Sequence, residues 1–183
     1  MHRICIFGRL LAVPQAASKR HFSSTGMRLT RFSDIGLRVL MYLAQADTQR
    51  APATVAEIAR QFDIPINHLV KVVAELSRSG WILATRGRKG GLSLNVDPKK
   101  LKIGAVLREL EGDAELVDCE AQNCRLSQDC RLRGALAAGQ RAFYQAMDGF
   151  TLADIVKGST GEQIILMHRE FSHLSELSRV PAA

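Results

Sequence analysis

Apolar residues recur at helical spacing along the first half of the chain. Between residues 33 and 44 they fall at i, i+3, i+4 and i+7, one face of an amphipathic helix that Ser33 is placed to cap. Thr54 and Glu57 form the sequence pair of a capping box, which predicts the start of a second helix. The same apolar spacing predicts a third helix over residues 66–79, and the glycine that follows it fits the end of that helix. The apolar positions behind these predictions are Leu37, Leu40, Met41 and Ala44, then Ile58 and Phe62, then Leu69, Val72, Val73 and Leu76.

The period of the pattern changes after residue 80. Residues 81–85 are short and rich in strand-forming side chains, and residues 92–96 alternate as a strand does. The basic, glycine-rich turn RGRKGG at 86–91 lies between them. A helix, a helix-turn-helix and a hairpin follow one another in the order of a winged helix-turn-helix domain. The sequence therefore predicts a mainly α fold with a small β-hairpin wing.

The second half of the chain predicts further helices around an irregular segment at 111–131. Asp97 and Pro98 offer the N-cap and first residue of a helix that reaches about Leu110, and another helix is predicted around 162–177. From residue 132 a heptad-like seam suits a long dimerisation helix, with packing onto the same subunit as the alternative. The seam consists of Leu132, Leu136, Gly139, Phe143 and Ala146. We expect a homodimer, since helix-turn-helix domains usually read DNA as two-fold dimers.

Composition and charge indicate which kind of molecule the protein binds. The 183 residues are 46% hydrophobic, and no apolar run approaches the ~18 residues of a membrane span. The net charge of +7 indicates an anionic partner, of which nucleic acid is the leading candidate. Residues 1–26 carry bases but no acid, and their apolar run is broken. We expect an extension that is either disordered or the result of a start codon assigned too early, rather than a targeting segment.

Basic and polar residues cluster where a winged helix meets double-stranded DNA. The first turns of the third helix present an asparagine, a histidine and a lysine, which are suited to base edges and phosphates in the major groove. Further bases lie at the tip of the wing and in an arm before the first helix. The candidate DNA-binding residues are Asn67, His68 and Lys71, then Arg86, Arg88 and Lys89, then Arg28 and Arg31. The alternative is a winged helix used for protein contact, with these bases as a solvated face.

Three cysteines, Cys119, Cys124 and Cys130, form a C-x4-C-x5-C pattern in the irregular segment. Three cannot all pair within one chain, and thiolates bind both zinc and iron–sulfur clusters. The wide gaps suit a polynuclear cluster better than one zinc ion. Structural zinc, with a histidine of the last predicted helix as fourth ligand, stays an alternative. The candidates for that ligand are His168 and His173, while Asp118 and Glu120 are cramped candidates beside the first cysteine, and Cys5 lies in the extension.

The winged helix, the long helix and the three-cysteine loop together resemble the BadM/Rrf-type bacterial transcription regulators. Within that family the chain looks most similar to the nitric-oxide-sensitive repressors, over about residues 27–157. The motifs that carry the resemblance are MRLTRFSD at 27–34, RGRKGGLSL at 86–94, LRELEGDAELVDCEAQNC at 107–124, CRLRGAL at 130–136 and AFYQAMDGFTLADIV at 142–156.

The resemblance implies a cofactor, an effector and a site. The three cysteines would hold an iron–sulfur cluster, [4Fe-4S] or [2Fe-2S], and Asp34 of the other subunit would complete the site. The holo dimer would bind a pseudo-palindromic operator and release it when nitric oxide nitrosylates the cluster. The rival within the family is a regulator of iron–sulfur cluster assembly, which would want a histidine after the last cysteine, where this chain has Arg131, Leu132, Arg133 and Gly134.

These features divide the chain into four predicted parts of a cytoplasmic bacterial regulator. They are the extension at 1–26, a DNA-binding domain at 27–97, a cluster-binding loop and dimerisation helix at 98–157, and a C-terminal tail at 158–183. An enzyme is not expected, because the chain has neither a C-x3-C-x2-C or C-x-x-C motif nor a phosphate-binding loop before a helix.

Overall fold

The chain folds into helices with one two-stranded hairpin between the third and fourth. The computed structural model describes residues 28–46, 51–87, 90–112, 115–117, 119, 123–126 and 128–177, with side chains to residue 173. The elements are α1 (Arg31–Ala44), α2 (Val55–Gln61), α3 (Ile66–Arg78), β1 (Ile82–Thr85), β2 (Gly91–Leu94), α4 (Ile103–Glu111), α5 (Arg131–Asp148), α6 (Leu152–Ile155) and α7 (Ser159–Leu177). The predicted mainly α fold with a hairpin wing is confirmed. The predicted extension at 1–26 lies outside the described residues.

Helix α1 packs against α3 at the centre of the core, but two sequence predictions for it are wrong. Its N-cap is Thr30, whose hydroxyl oxygen accepts from the backbone N–H of Ser33 at 3.2 Å, while Ser33 itself is fully buried. The fully buried face centres on Val39 and Leu40. The predicted residues Leu37, Met41 and Ala44 are only partly buried at its margin. The sequence pattern located the helix correctly, but the observed buried face is rotated around the helix axis from the predicted one.

The hairpin is antiparallel, with Ile82 opposite Leu94 and Thr85 opposite Gly91. Leu92 is buried, and its backbone N–H donates to the carbonyl of Ala53 at 2.7 Å. This bond joins the hairpin to the chain just before α2. The wing is therefore fixed to the helix-turn-helix by a backbone hydrogen bond as well as by the chain connection from α3.

The helix predicted to start at Asp97 begins later, at Ile103. The Asp97 carboxylate instead caps a turn by accepting a backbone N–H at 2.9 Å. The backbone of Ile103 donates to Phe150 at 3.0 Å, and Leu152 donates to Leu101 at 2.9 Å. These pairings hold Lys102 extended opposite Thr151, which delays the start of α4 to Ile103.

Helix α7, in the segment predicted as a tail, packs back onto the helix-turn-helix through Ile164 and His168, both buried. The His168 ring lies 3.8 Å from the Tyr42 ring, and its Nε2 is 3.0 Å from the Tyr42 carbonyl oxygen. The Tyr42 hydroxyl donates to buried Glu57 at 2.7 Å. This polar cluster ties α7 to α1 and α2. In the part of the chain described here, no helix combines the length and apolar character needed to cross a membrane.

Candidate nucleic-acid interface and cysteine loop

The outer face of α3 exposes the predicted DNA-reading side chains. Leu69 and Leu76 are fully buried on the opposite face, which leaves Asn67, His68 and Lys71 in solvent. The Asn67 side-chain oxygen accepts from the backbone N–H of His68 at 3.0 Å and occupies the first turn of the helix. The structure thus presents all three predicted residues of α3 on one exposed surface.

The turn between α2 and α3 sets the position of α3. Asp63 adopts a positive φ of 50°, a conformation that aspartate tolerates better than most residues. Ile64 is buried, and its backbone N–H donates to Ala59 at 2.9 Å. The turn is therefore anchored to the core on its inner side, and α3 starts from a defined point.

The wing and the arm carry the remaining predicted bases. Arg86 is exposed at the end of β1, and Gly90 closes the turn by donating to Gly87 at 2.9 Å. Arg88 and Lys89 lie outside the described residues. Arg28 and Arg31 are both exposed at the start of α1.

The three cysteines lie on the loop that leads from α4 to α5, and all are free thiols of intermediate exposure. The backbone N–H of Cys124 donates to the carbonyl of Cys119 at 3.0 Å, and Cys130 is the N-cap of α5. Partial desolvation raises the pKa of the Cys119 thiol, as do the charges of Cys124 and Cys130, while Arg133 opposes them. The backbone bond between Cys124 and Cys119 holds these two residues next to each other on the loop.

The donor set fits a thiolate-bound group by its chemistry and grouping. Within the described residues, no three His, Cys, Asp or Glu side chains form a site for a single metal ion. Thiolates are ligands of both zinc ions and iron–sulfur clusters, so the fit rests on the chemistry of the three cysteines. Arg133 spans the loop by donating to both carboxylate oxygens of Glu115, at 2.7 and 2.8 Å.

Asp34 lies in the first turn of α1, where it accepts from Arg38 Nε at 3.0 Å. Its side chain is half-exposed. The structure does not bring Asp34 to the cysteines of its own chain in any described contact.

A connection that the sequence did not reveal joins the arm to the cysteine loop. Glu111, the last residue of α4, accepts from both the backbone N–H and the hydroxyl of Thr30, at 2.8 and 3.2 Å. Beside it lies a cavity of about 290 Å³ between the arm, the loop and α5, which Arg28 and Phe143 help to line. No local pattern in the sequence indicates this role, because the partner lies 81 residues away.

Helix α5 has no buried residue in this chain. Leu132 is 65% exposed and Phe143 is 37% exposed on the predicted seam. One side of α5 packs against the core through Tyr144 and Met147, whereas the seam on its other side leaves large apolar side chains in solvent.

Residues 29–158 match the Rrf2 family, described as iron-dependent transcriptional regulators. The HTH-type transcriptional repressor NsrR of Streptomyces coelicolor is 43% identical over 140 residues, which cover 76% of this chain and 95% of that protein.

Solved structures agree on the fold. CymR, the global cysteine regulator of B. subtilis, has a TM-score of 0.58 at 23% identity, covering 71% of this chain and 96% of that one. T. potens IscR has a TM-score of 0.57 at 22% identity, covering 72% of this chain and 87% of that one. The matched proteins are regulators, not enzymes, as the sequence predicted. The chain belongs to the Rrf2 family of transcriptional regulators.

Proposed function

We propose that the protein is a nitric-oxide-sensing transcriptional repressor of the bacterial cytoplasm. It acts as a homodimer that holds an iron–sulfur cluster, [4Fe-4S] or [2Fe-2S]. The holo dimer binds operator DNA and releases it when nitric oxide reacts with the cluster. The 43% identity to a repressor named NsrR supports this function. The observation that carries it is the grouping of Cys119, Cys124 and Cys130 on one loop between α4 and α5.

The three thiolates and Asp34 of the other subunit are the proposed ligands. When bound, the cluster supplies iron atoms with which nitric oxide reacts. A carboxylate from the partner would make the ligand set depend on how the two subunits are oriented. Ligation and dimer geometry would then be coupled in both directions.

The contacts around Glu111 offer a route from the cysteine loop to the DNA-binding elements. Glu111 immediately precedes the loop and holds Thr30, the N-cap of α1, through two hydrogen bonds. Arg28 and Arg31 flank that cap. A shift of the loop would move Glu111 and, through Thr30, the basic arm and the start of α1.

The proposed dimer contact is the exposed seam of α5. Pairing two copies through Leu132 and Phe143 would remove apolar surface that one chain leaves in water. A two-fold dimer would also present two copies of α3 to the two half-sites of an operator.

The proposed DNA contacts follow from the exposed residues. Asn67, His68 and Lys71 would face base edges, and Arg86, with Arg88 and Lys89, would meet the backbone from the wing. Arg28 and Arg31 would add a basic arm beside α1.

The position of His168 disfavours it as the fourth ligand of a structural zinc, whereas His173, the other candidate, is exposed on α7. Its two ring nitrogens lie 3.0 Å from the Tyr42 carbonyl oxygen and 3.7 Å from the Glu57 carboxylate, inside the core. That ring is not available to the cysteine loop. Regulation of cluster assembly remains the second candidate, because the fold of IscR is shared.

Cysteine variants test this function. Cys119→Ala, Cys124→Ala and Cys130→Ala are each expected to lose iron and acid-labile sulfide together with tight binding to a duplex selected by the wild-type protein. Cys5→Ala is the matched control and should retain both. Equal iron content and equal DNA affinity in all four variants would exclude cluster-dependent repression.

A further inference from the structure

The outer face of α3 carries an apolar stripe that the core does not use. Ile66 is 56% exposed and Val70 is 50% exposed, one helical turn apart. Ala74, exposed one further turn along, extends the stripe. Single exposed apolar residues are common, but two large ones in successive turns of a DNA-reading helix need a partner.

A polar, positively charged stripe lies beside the apolar one. Asn67, Lys71 and Arg78 share this second line along the helix, at i, i+4 and i+11. Arg78 pairs with Glu75 at 2.5 Å, whereas Lys71 forms no ion pair with any residue that the structure describes. The surface therefore combines apolar side chains with an uncompensated positive charge. Such a surface is complementary to a ligand that carries both an apolar group and phosphates, as DNA does.

We propose that Ile66 and Val70 recognise thymine through its C5-methyl group in the major groove of each operator half-site. This inference rests on the proposed role of α3 as the DNA-reading helix. The thymine methyl is the apolar group on the major-groove edges of the four bases, so an apolar side chain there distinguishes thymine from the others.

The spacing of the two side chains predicts the spacing of the thymines. Residues one turn apart on a helix have Cβ atoms about 5–6 Å apart, and base pairs along one strand are about 3.4 Å apart. Ile66 and Val70 therefore reach thymines one or two steps from each other. Asn67 lies on the adjoining line, where its amide can pair with an adenine. The half-site should contain a short segment of A·T pairs.

Both side chains are β-branched, which favours recognition of a small apolar target. Valine and isoleucine in a helix have one strongly preferred χ1 rotamer. Their methyl groups are therefore held in place before DNA binds, and little conformational entropy is lost on contact. A longer, flexible side chain at either position would lose more conformational entropy when it contacted the DNA.

Thymine-to-uracil substitution isolates the methyl group, because deoxyuridine keeps every hydrogen-bonding group of thymidine. The full-length protein is purified without oxygen, and a duplex is selected from a random library. Each thymine of that duplex is then replaced in turn. We expect two positions in each half-site to weaken binding by about fourfold, the change that corresponds to one methyl-sized apolar contact. Unchanged affinity at every thymine would overturn the proposal.

Variants assign each methyl group to its side chain. Val70→Ala and Ile66→Ala should each abolish the uracil effect at one position and leave it at the other, as a double-mutant cycle measures. Both residues are exposed, and alanine favours the helix, so the fold is retained. The matched control is Leu166→Ala on α7, where another exposed apolar side chain is lost. Variants that keep the full uracil effect at both positions would overturn the proposal.

This test separates the inference from the proposed function. Selected DNA that shows the uracil effect but is not released by nitric oxide would refute the sensor and leave methyl recognition standing. Failure to select any preferred duplex would overturn both.

Discussion

Gly104 lets the backbone of α4 approach α5 closely. A Cβ atom at this position would lie 2.6 Å from the carbonyl oxygen of Tyr144 and would also meet the Asp148 carboxylate. A backbone oxygen within α5 cannot move aside as a flexible side chain can. The helix that leads into the cysteine loop is thus held against the helix that carries the seam.

Gly104→Ala should destabilise the protein by about 1–3 kcal/mol, because the added methyl forces the two helices apart. The measurement is the midpoint of urea unfolding. Gly134→Ala is the matched control, since no atom lies within 4 Å of its Cβ position on α5. That variant should gain about 0.5–1 kcal/mol from the better helix propensity of alanine. Equal stability of the two variants would contradict the described crossing.

Sequence reasoning succeeded at residues whose partners are close along the chain. The capping box of Thr54 and Glu57 is confirmed with both of its reciprocal hydrogen bonds. The cap of α1 was misplaced from Thr30 to Ser33, because both are hydroxyl residues before an apolar run. The burial of Glu57 could not be predicted, since Tyr42 and His168 cover it from other helices.

At the scale of elements, boundaries depended on distant pairings. The start of α4 was predicted too early, because the bonds that hold residues 101–103 come from Phe150 and Leu152. The hairpin was located correctly, since its glycine-rich turn and alternating strand are local signals. The position of α7 against the helix-turn-helix had no local signal beyond its helical period.

Helix α6 contributes an acid-sensitive element between α5 and α7. Lys157 donates to the Asp154 carboxylate at 2.7 Å and the Thr151 hydroxyl donates to it at 2.6 Å, and they hold the pKa of Asp154 well below its ordinary value. Because the folded pKa is lowered, this stabilisation is complete above the ordinary aspartate range, near pH 4. It is lost progressively as the pH falls toward the folded pKa.

Asp154→Asn should therefore lower the urea midpoint most near neutral pH. The difference from the wild-type protein should shrink between about pH 5 and pH 3, as the charge of the unfolded carboxylate is neutralised. The measurement is urea unfolding of both proteins across that range. A difference that is constant with pH would show that the carboxylate charge contributes nothing.

At the scale of the whole molecule, the seam of α5 predicts self-association. Leu132→Glu places a charge on the apolar face and should shift the dimer toward monomers, because burying an unpaired carboxylate is costly. Sedimentation equilibrium measures the change. Ala138→Glu is the control, since Ala138 is exposed on α5 but lies off the seam. Equal dimer affinity in both variants would place the subunit contact elsewhere.

Three parts of the candidate site could be predicted from the sequence, but the contact that connects them could not. The cysteine spacing, the basic wing and the reading helix are each local patterns. The link from Glu111 to Thr30 joins residues 81 positions apart, and only the folded chain brings the end of α4 to the cap of α1. The proposed release of DNA in response to nitric oxide depends on that link between the cysteine loop and the DNA-binding elements.

The most direct test of that claim is an anaerobic titration of the holo dimer with nitric oxide, in which absorbance and operator binding are recorded in the same samples. We predict a broad visible absorbance that changes in step with the loss of DNA binding. A colourless protein whose DNA affinity is the same before and after nitric oxide would contradict the account.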